Sequence, residues 1–104
     1  MAYRVERTQE AADDLRWMAR HGRKAQAALV ERSLDRLLRD TPGVERGARE
    51  RMRPNTLGVE WALHLGALRV YYDIEDENQV VWVVRVGEKP GNTLYLQGQP
   101  FDLG

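Results

Sequence analysis

Residues 61–72 read Trp-Ala-Leu-His-Leu-Gly-Ala-Leu-Arg-Val-Tyr-Tyr, and this stretch decides the fold of the chain. On each side of Gly66-Ala67, apolar and polar residues alternate with the period of two that is typical of half-buried strands. A two-residue turn fixes the register of a β-hairpin, so we expect His64 to lie opposite Arg69. One face of the hairpin is then apolar and needs a cover. That face comprises Trp61, Leu63, Leu65, Leu68, Val70, Tyr72 and Ile74.

Two helices are predicted upstream of the hairpin, and they can supply this cover. Thr8 is a suitable N-cap for the first helix, and Gly22 is expected to end it. The second helix should end at residues 40–43, Asp-Thr-Pro-Gly, a combination that stops helices. Two helices joined at a single glycine form a helical hairpin. Its apolar stripes comprise Ala11, Leu15, Met18 and Ala19 in the first helix and Ala27, Val30, Leu34, Leu37 and Leu38 in the second.

Further strands are predicted at residues 3–7, at residues 51–53 and, most strongly, at residues 79–87, which contain five valines. The economical arrangement of these elements is an α+β fold. It would have an antiparallel sheet of about four to five strands, with the N-terminal two-helix hairpin packed on one face. Residues 1–104 would form a single domain.

Two tryptophans and an apolar tail extend the predicted core. Trp61 lies on the apolar face of the hairpin, and Trp82 lies inside an apolar run, so we expect both in the core. The tail from Pro90 to Phe101 is apolar for a chain terminus. It either packs back on the domain or awaits a partner, and both alternatives stay open.

Composition argues against several classes of protein. The 104 residues contain 16 basic and 16 acidic side chains, so the basic excess that is usual in binders of free nucleic acid is missing. There is no cysteine, which leaves no disulfide framework and fits a reducing compartment. We recognise no signal peptide and no apolar run long enough to span a membrane. We therefore expect a cytoplasmic protein.

Three stretches and one later tyrosine resemble the RelE/ParE superfamily of toxins from bacterial type II toxin–antitoxin systems. The stretches are residues 51–55 (Arg-Met-Arg-Pro-Asn), residues 65–74 around the hairpin turn and residues 84–89 (Val-Arg-Val-Gly-Glu-Lys), and the tyrosine is Tyr95. The resemblance implies a RelE-like fold and the role of a toxin. RelE-like members cleave mRNA in the ribosomal A site, whereas ParE-like members poison DNA gyrase.

The resemblance to RelE-like toxins also implies a set of catalytic residues. Arg69 matches the arginine of the superfamily strand, and His64 stands where RelE itself has a lysine. Lys89 lies two residues past Gly87, where the family has a cation, and Tyr95 lies eight residues past it, where the family has a tyrosine. The implied catalytic residues are therefore His64, Arg69, Lys89 and Tyr95.

These residue types suit RNA cleavage without a metal, in which the 2′-hydroxyl of the substrate is the nucleophile. Histidine titrates near neutral pH, so His64 could act as the base or as the acid. Arg69 keeps its proton and suits fixed stabilisation of charge on phosphate oxygens. Tyr95 could stack on a base or orient a phosphate. Two histidines and no cysteine give no metal-ligand spacing, and we expect no cofactor.

Three arginines are candidates for RNA binding, namely Arg51, Arg53 and Arg85. The alternation of residues 84–89 suggests that Arg85 lies across from Arg69 on the neighbouring strand. The stretch around Arg51 is the densest basic segment of the chain. It could contact ribosomal RNA or an antitoxin, or it could be a solvated loop. Its other members are Arg46 and Arg49.

The same residues also have simpler structural interpretations. His64 and Arg69 could form a solvated cross-strand pair, and Arg69 could instead pair with Asp73 or Glu60. For Lys89 and Tyr95 the simpler interpretations are a surface lysine and a packing tyrosine.

Three functions are therefore open at this point. The favoured one is a ribosome-dependent mRNA endonuclease that inhibits translation, with the ribosome, mRNA and a cognate antitoxin protein as partners. Ala62 stands where RelE has a second lysine, which favours the alternative of a ParE-like inhibitor of DNA gyrase. The third is a degenerate toxin that only binds its antitoxin. None of the three involves a membrane.

Overall fold

The computed structural model describes residues 2–45 and 47–104, in which two helices and seven strands form. In chain order they are β1 (Arg4–Arg7), α1 (Gln9–Arg20), α2 (Lys24–Leu38), β2 (Arg49–Arg51), β3 (Trp61–Leu65), β4 (Leu68–Glu75), β5 (Val80–Glu88), β6 (Leu94–Leu96) and β7 (Gln99–Phe101). Neither helix in these ranges is long and apolar enough to cross a membrane.

The central hairpin has the register that the turn predicts. His64 of β3 pairs with Arg69 of β4, and Leu65 pairs with Leu68. Gly66 has a φ of +61°, a left-handed conformation that glycine adopts without steric cost. The tight turn therefore sets which side chains of β3 and β4 share a face.

The sheet is larger than predicted and is mixed. The order β2-β3-β4-β5-β6-β7 is antiparallel throughout, whereas β1 pairs with β5 in parallel, with Arg4 opposite Val80. The predicted count of four to five strands is wrong because β6 and β7 have only three residues each, too few to show an alternating pattern. The strand predicted at residues 51–53 lies two residues closer to the N-terminus in the structure, where β2 spans Arg49–Arg51.

The helices cover one face of the sheet and form the first hydrophobic core. The Thr8 hydroxyl accepts a hydrogen bond from the Ala11 amide at 3.1 Å, so Thr8 is the N-cap of α1 as predicted. Gly22 follows the end of α1 with a φ of +79° and allows the chain to enter α2. The buried members of this core are Ala11, Leu15, Met18, Ala27, Val30, Leu34, Leu38, Trp61, Leu63, Leu68, Val70, Tyr72, Val81, Val83 and Val86.

A second, smaller core lies on the opposite face under the C-terminal tail. The tail folds into the β6–β7 hairpin and is held by Thr56, whose amide donates to the Leu103 carbonyl at 2.9 Å and whose hydroxyl donates to the Asp102 carbonyl at 2.6 Å. The tail therefore packs on the domain, which is one of the two alternatives left open above. The buried members of this second core are Val59, Ala62, Tyr71, Leu94 and Leu96.

The two tryptophans of the sheet differ in how deeply they are buried. Trp61 is buried in the first core, as predicted, but Trp82 is 39% exposed. Val81 and Val83, its neighbours in β5, both point into the first core, so Trp82 points to the other face of the sheet. The prediction that Trp82 is a core residue is therefore wrong.

Candidate functional site

His64 lies at one end of the sheet, between strands β2 and β4. Its Nε2 atom is 3.3 Å from the Oε1 atom of Glu50 in the neighbouring strand β2. Arg69 is its cross-strand partner on the other side, in β4. The imidazole is half-buried, with 36% of its side chain exposed. The imidazole thus has a carboxylate beside it on the β2 side and an arginine as its partner in the next strand.

Glu50 is the residue that the sequence analysis missed. It pairs with Ala62, and residues two apart in a strand share a face, so Glu50 and His64 lie on the same face. The alternation Arg-Glu-Arg at residues 49–51 is the only sequence signal for it. The alternation identifies Glu50 as a neighbour of His64 only when β2 is known to span these residues and to pair with β3.

The Arg69 side chain lies over its own turn. Its Nη1 atom donates to the carbonyl of Gly66 at 2.7 Å and to that of Leu68 at 2.9 Å. Within residues 2–45 and 47–104, Arg69 forms no ion pair, so the alternative pairing with Asp73 or Glu60 is not found. Its Nε and Nη2 atoms, which have no hydrogen-bond partner among these residues, remain available to an anion.

Lys89 and Tyr95 lie at the same end of the sheet as Arg69. The Cα partner of Arg69 in β5 is Gly87, and the Lys89 amide donates to the carbonyl of Ala67 in the hairpin turn at 2.7 Å. Tyr95 pairs with Glu88 and is 37% exposed. The backbones of all four predicted catalytic residues therefore lie near the β3–β4 turn, but their side chains do not share one face. His64 and Arg69 lie on the same face as Ala62 and Tyr71 of the second core, whereas Tyr95 alternates with Leu94 and Leu96 of that core and points away from it.

Gly87 allows Tyr95 to come this close to β5. A Cβ atom at Gly87 would lie 2.6 Å from the Tyr95 carbonyl oxygen and 2.6 Å from Leu96 Cδ2. Real Cβ atoms do not approach other atoms so closely, so the contact between β5 and β6 requires a glycine at this position.

Tyr71 lies below this site and takes no part in proton exchange near neutral pH. Burial raises the pKa of Tyr71 to about 12, although the positive charge of Arg69 opposes the rise. The phenol therefore stays protonated at neutral pH. Histidine remains the residue type in this site that can both accept and donate a proton there.

Two of the arginines predicted to bind RNA are exposed at the edge of the sheet. Arg51 donates to Glu60 Oε2 at 3.0 Å and lies 5.8 Å from the ring centroid of Trp61. Arg53 follows in the loop after β2. Their role in RNA binding stays a prediction. Arg46, which we included in the same basic stretch, lies outside the described residues.

Arg85 has a structural partner. Its Nε and Nη2 atoms donate to the two carboxylate oxygens of Asp14 in α1, at 2.8 and 2.9 Å. These hydrogen bonds are the main cause of the raised pKa of Arg85. The suggested position across from Arg69 is wrong, because Arg85 pairs with Tyr71. An RNA-binding role for Arg85 stays a prediction, but its guanidinium already binds a carboxylate that is completely buried.

Asp14 accepts two further hydrogen bonds besides those from Arg85. One comes from the Val86 amide and one from the Gln97 side chain, both at 2.9 Å. The turn that contains Gln97 and Gly98 packs against Trp17 of α1. The C-terminal hairpin is therefore fixed to α1 as well as to β5, which holds Tyr95 in its position.

Comparison with protein families gives one match that covers most of the chain. A model described as ParE toxin of type II toxin–antitoxin system, parDE, matches residues 5–89. The matched part includes His64, Arg69 and Lys89 and ends before Tyr95. No curated protein sequence matches the chain.

Several solved structures are similar to this one. The toxin–antitoxin complex RelBE2 from Mycobacterium tuberculosis has a TM-score of 0.60 at 24% identity, over 86% of this chain and 100% of that chain. The E. coli RelBE complex has a TM-score of 0.47 at 22% identity, over 84% and 96% of the two chains. The archaeal RelE–RelB complex from Pyrococcus horikoshii has a TM-score of 0.49 at 15% identity, over 88% and 99%. The first of these likenesses shows that the fold is shared.

Proposed function

The chain belongs to the ParE toxin family of type II toxin–antitoxin systems, and from this premise we propose that it is a metal-independent endoribonuclease that cleaves mRNA on the ribosome. The observation that supports this activity best is the position of His64, 3.3 Å from a carboxylate and paired in the sheet with Arg69, which forms no ion pair within the described residues. The proposed target, a translating ribosome with its mRNA, would be in the cytoplasm, where translation takes place.

In the proposed reaction His64 removes the proton of the 2′-hydroxyl, whose oxygen then attacks the adjacent phosphorus. The P–O bond to the 5′-oxygen breaks, which leaves a 2′,3′-cyclic phosphate, and a water molecule donates the proton that the departing 5′-oxygen takes up. Glu50 orients the imidazole and stabilises the charge that the ring gains with the proton. Arg69 stabilises the additional negative charge on the phosphate oxygens.

Lys89 and Tyr95 act on the substrate from the neighbouring segment. The lysine ammonium adds a second positive charge near the phosphate, because its backbone is hydrogen-bonded to the hairpin turn. The exposed ring of Tyr95 stacks on a base or orients a phosphate next to the scissile bond. Single-stranded mRNA offers such bases, since they are not held in a duplex.

The test is cleavage of an mRNA during translation in a purified system. We expect Arg69→Ala to slow cleavage about 10³-fold, since solvent cannot replace a fixed charge in the transition state. We expect His64→Ala to slow it about 10²-fold, because water can exchange protons in its place. Arg32→Ala, an exposed arginine of α2, is the matched control and should cleave at the normal rate. Equal cleavage by Arg69→Ala and the unmodified protein would refute the assignment.

A ParE-like inhibitor of DNA gyrase is the second candidate. The family model that matches is that of the ParE toxin, and Ala62, where RelE has a lysine, is buried in the second core. Inhibition of supercoiling by purified gyrase, with DNA breaks and no loss of translated mRNA, would select this function.

Either activity implies a cognate antitoxin, and the gene beside this one should encode it. Expression of the chain alone should stop growth, and co-expression of the neighbouring gene should restore it. Normal growth in both cases would indicate a degenerate toxin that only binds its antitoxin.

A further inference from the structure

Trp82 is a large exposed aromatic residue in the middle of a strand. It lies on the face of the sheet opposite the helices, where the second core covers the sheet near β6 but does not bury Trp82. Tryptophan is enriched where proteins contact their partners, because its ring offers a large apolar surface together with one N–H donor. The surroundings of the ring show which partner it would suit.

Carboxylates flank Trp82 on both sides. Its Cα partner in β1 is Glu6, and its Cα partner in β4 is Asp73. Cross-strand partners lie about 5 Å apart and point to the same face, so the indole stands between two negative charges. Glu6 Oε1 is 3.0 Å from Arg4 Nε, and Asp73 Oδ1 accepts from the Glu60 amide at 2.7 Å. In the part of the chain that the structure describes, each carboxylate keeps a second oxygen without a hydrogen-bond partner.

The charge around Trp82 is negative beyond these two neighbours. The turn between β4 and β5 begins directly after Glu75 and contains two further carboxylates. The one cation on this face of β1 is Arg4, which already contacts Glu6. The carboxylates at this end of the sheet are Glu6, Asp73, Glu75, Asp76 and Glu77.

We propose that Trp82, with Glu6 and Asp73 at its sides, is a docking point for an arginine side chain of a protein partner. A guanidinium stacks flat on an indole, which attracts cations through the electron density of its face. Its remaining N–H groups can donate to the two free carboxylate oxygens, a planar arrangement that a lysine ammonium cannot match. Charge complementarity thus selects a basic segment, and the flat ring selects arginine within it.

This surface is separate from the proposed catalytic residues. Trp82 and Gly87 are five residues apart in β5, which corresponds to about 16 Å along the strand. A partner on Trp82 therefore leaves Arg69 and Tyr95 accessible. The inference does not depend on the proposed function, and loss of arginine binding would leave RNA cleavage unchanged.

The test uses the full chain and three capped octapeptides, of arginine, lysine and glutamate, with binding measured by calorimetry. We expect saturable binding of octa-arginine, at least about threefold weaker binding of octalysine, and none of octaglutamate. Trp82→Ala should weaken octa-arginine binding at least about threefold. Glu6→Gln with Asp73→Asn should weaken it by at least as much, since the asparagine keeps the oxygen that accepts the Glu60 amide.

Glu77→Gln is the matched control, because it removes one charge from the same end without touching the flanks of Trp82. If this variant weakens binding as much as Trp82→Ala, binding of the peptide depends only on the net charge of the protein, and the proposal fails. It also fails if octa-arginine and octalysine bind equally, or if Trp82 is instead buried by self-association of the chain at the concentrations used. Thermal unfolding of each variant checks that the fold is intact.

Discussion

Asp14 joins three parts of the molecule through a single side chain. Its carboxylate is completely buried and accepts hydrogen bonds from Arg85, from the Val86 amide and from Gln97. A buried charge is tolerated only when its partners are complete, because desolvation of an unpaired ion costs several kcal/mol. The position of the β6–β7 hairpin, and with it of Tyr95, therefore depends on a buried residue of α1.

We predict that Asp14→Ala lowers the free energy of unfolding by about 3 kcal/mol, because it leaves the Arg85 guanidinium without its buried partner. Asp13→Ala, at the next position, is the control. Asp13 lies on the surface, where it pairs with Arg16 at 3.2 Å and accepts a hydrogen bond from the Gln9 side chain at 2.9 Å. Its loss should therefore cost less than about 1 kcal/mol. Urea unfolding of both variants measures the difference. Equal stability of the two would contradict the role of Asp14.

Sequence reasoning at single positions worked where a turn fixed the geometry. His64 and Arg69 are joined by a two-residue turn, so their pairing follows from the sequence alone. Trp82 could not be placed, because consecutive apolar residues show no alternation and both faces look alike. Arg85 could not be placed either, since its partner is 71 positions away and only the fold brings them together.

Strand β6 depends on a glycine in the strand beside it. We predict that Gly87→Ala lowers the free energy of unfolding by about 1–3 kcal/mol, because the new methyl group would meet the Tyr95 carbonyl, and backbone cannot move aside cheaply. Gly91→Ala is the matched control, since nothing lies within 4 Å of a Cβ atom there. Thermal unfolding of both variants checks this, and a Gly87→Ala variant as stable as Gly91→Ala would contradict it.

Long elements could be predicted from the sequence and short ones could not. Helix α2 and strand β5 have fifteen and nine residues, enough to show a period or a run of β-branched residues. Strands β2, β6 and β7 have three residues each, and their existence depends on neighbours that offer hydrogen bonds. The position of Glu50 followed from one of these short strands, which is why it was missed.

The molecule as a whole is a sheet between two apolar cores of unequal size. We predict that removal of residues 93–104 lowers the free energy of unfolding by at least about 3 kcal/mol, because Tyr71 and Ala62 lose the apolar contacts of Leu94 and Leu96. The truncated chain should also bind an apolar dye such as anilinonaphthalene sulfonate, since Tyr71 and Ala62 become exposed. Gln99→Ala, an exposed position of β7, is the control. A truncated chain of full stability that binds no dye would show that the second core is dispensable.

The parallel pairing of β1 with β5 has a consequence for synthesis. Arg4 and its partner Val80 are 76 positions apart, so β5 is made only after both helices. Until then the nascent chain has a helical hairpin whose apolar stripe faces no completed sheet. Contacts between such distant positions also form slowly. The first strand therefore gains its partner, and the helices gain the strand they pack against, only once β5 has been made.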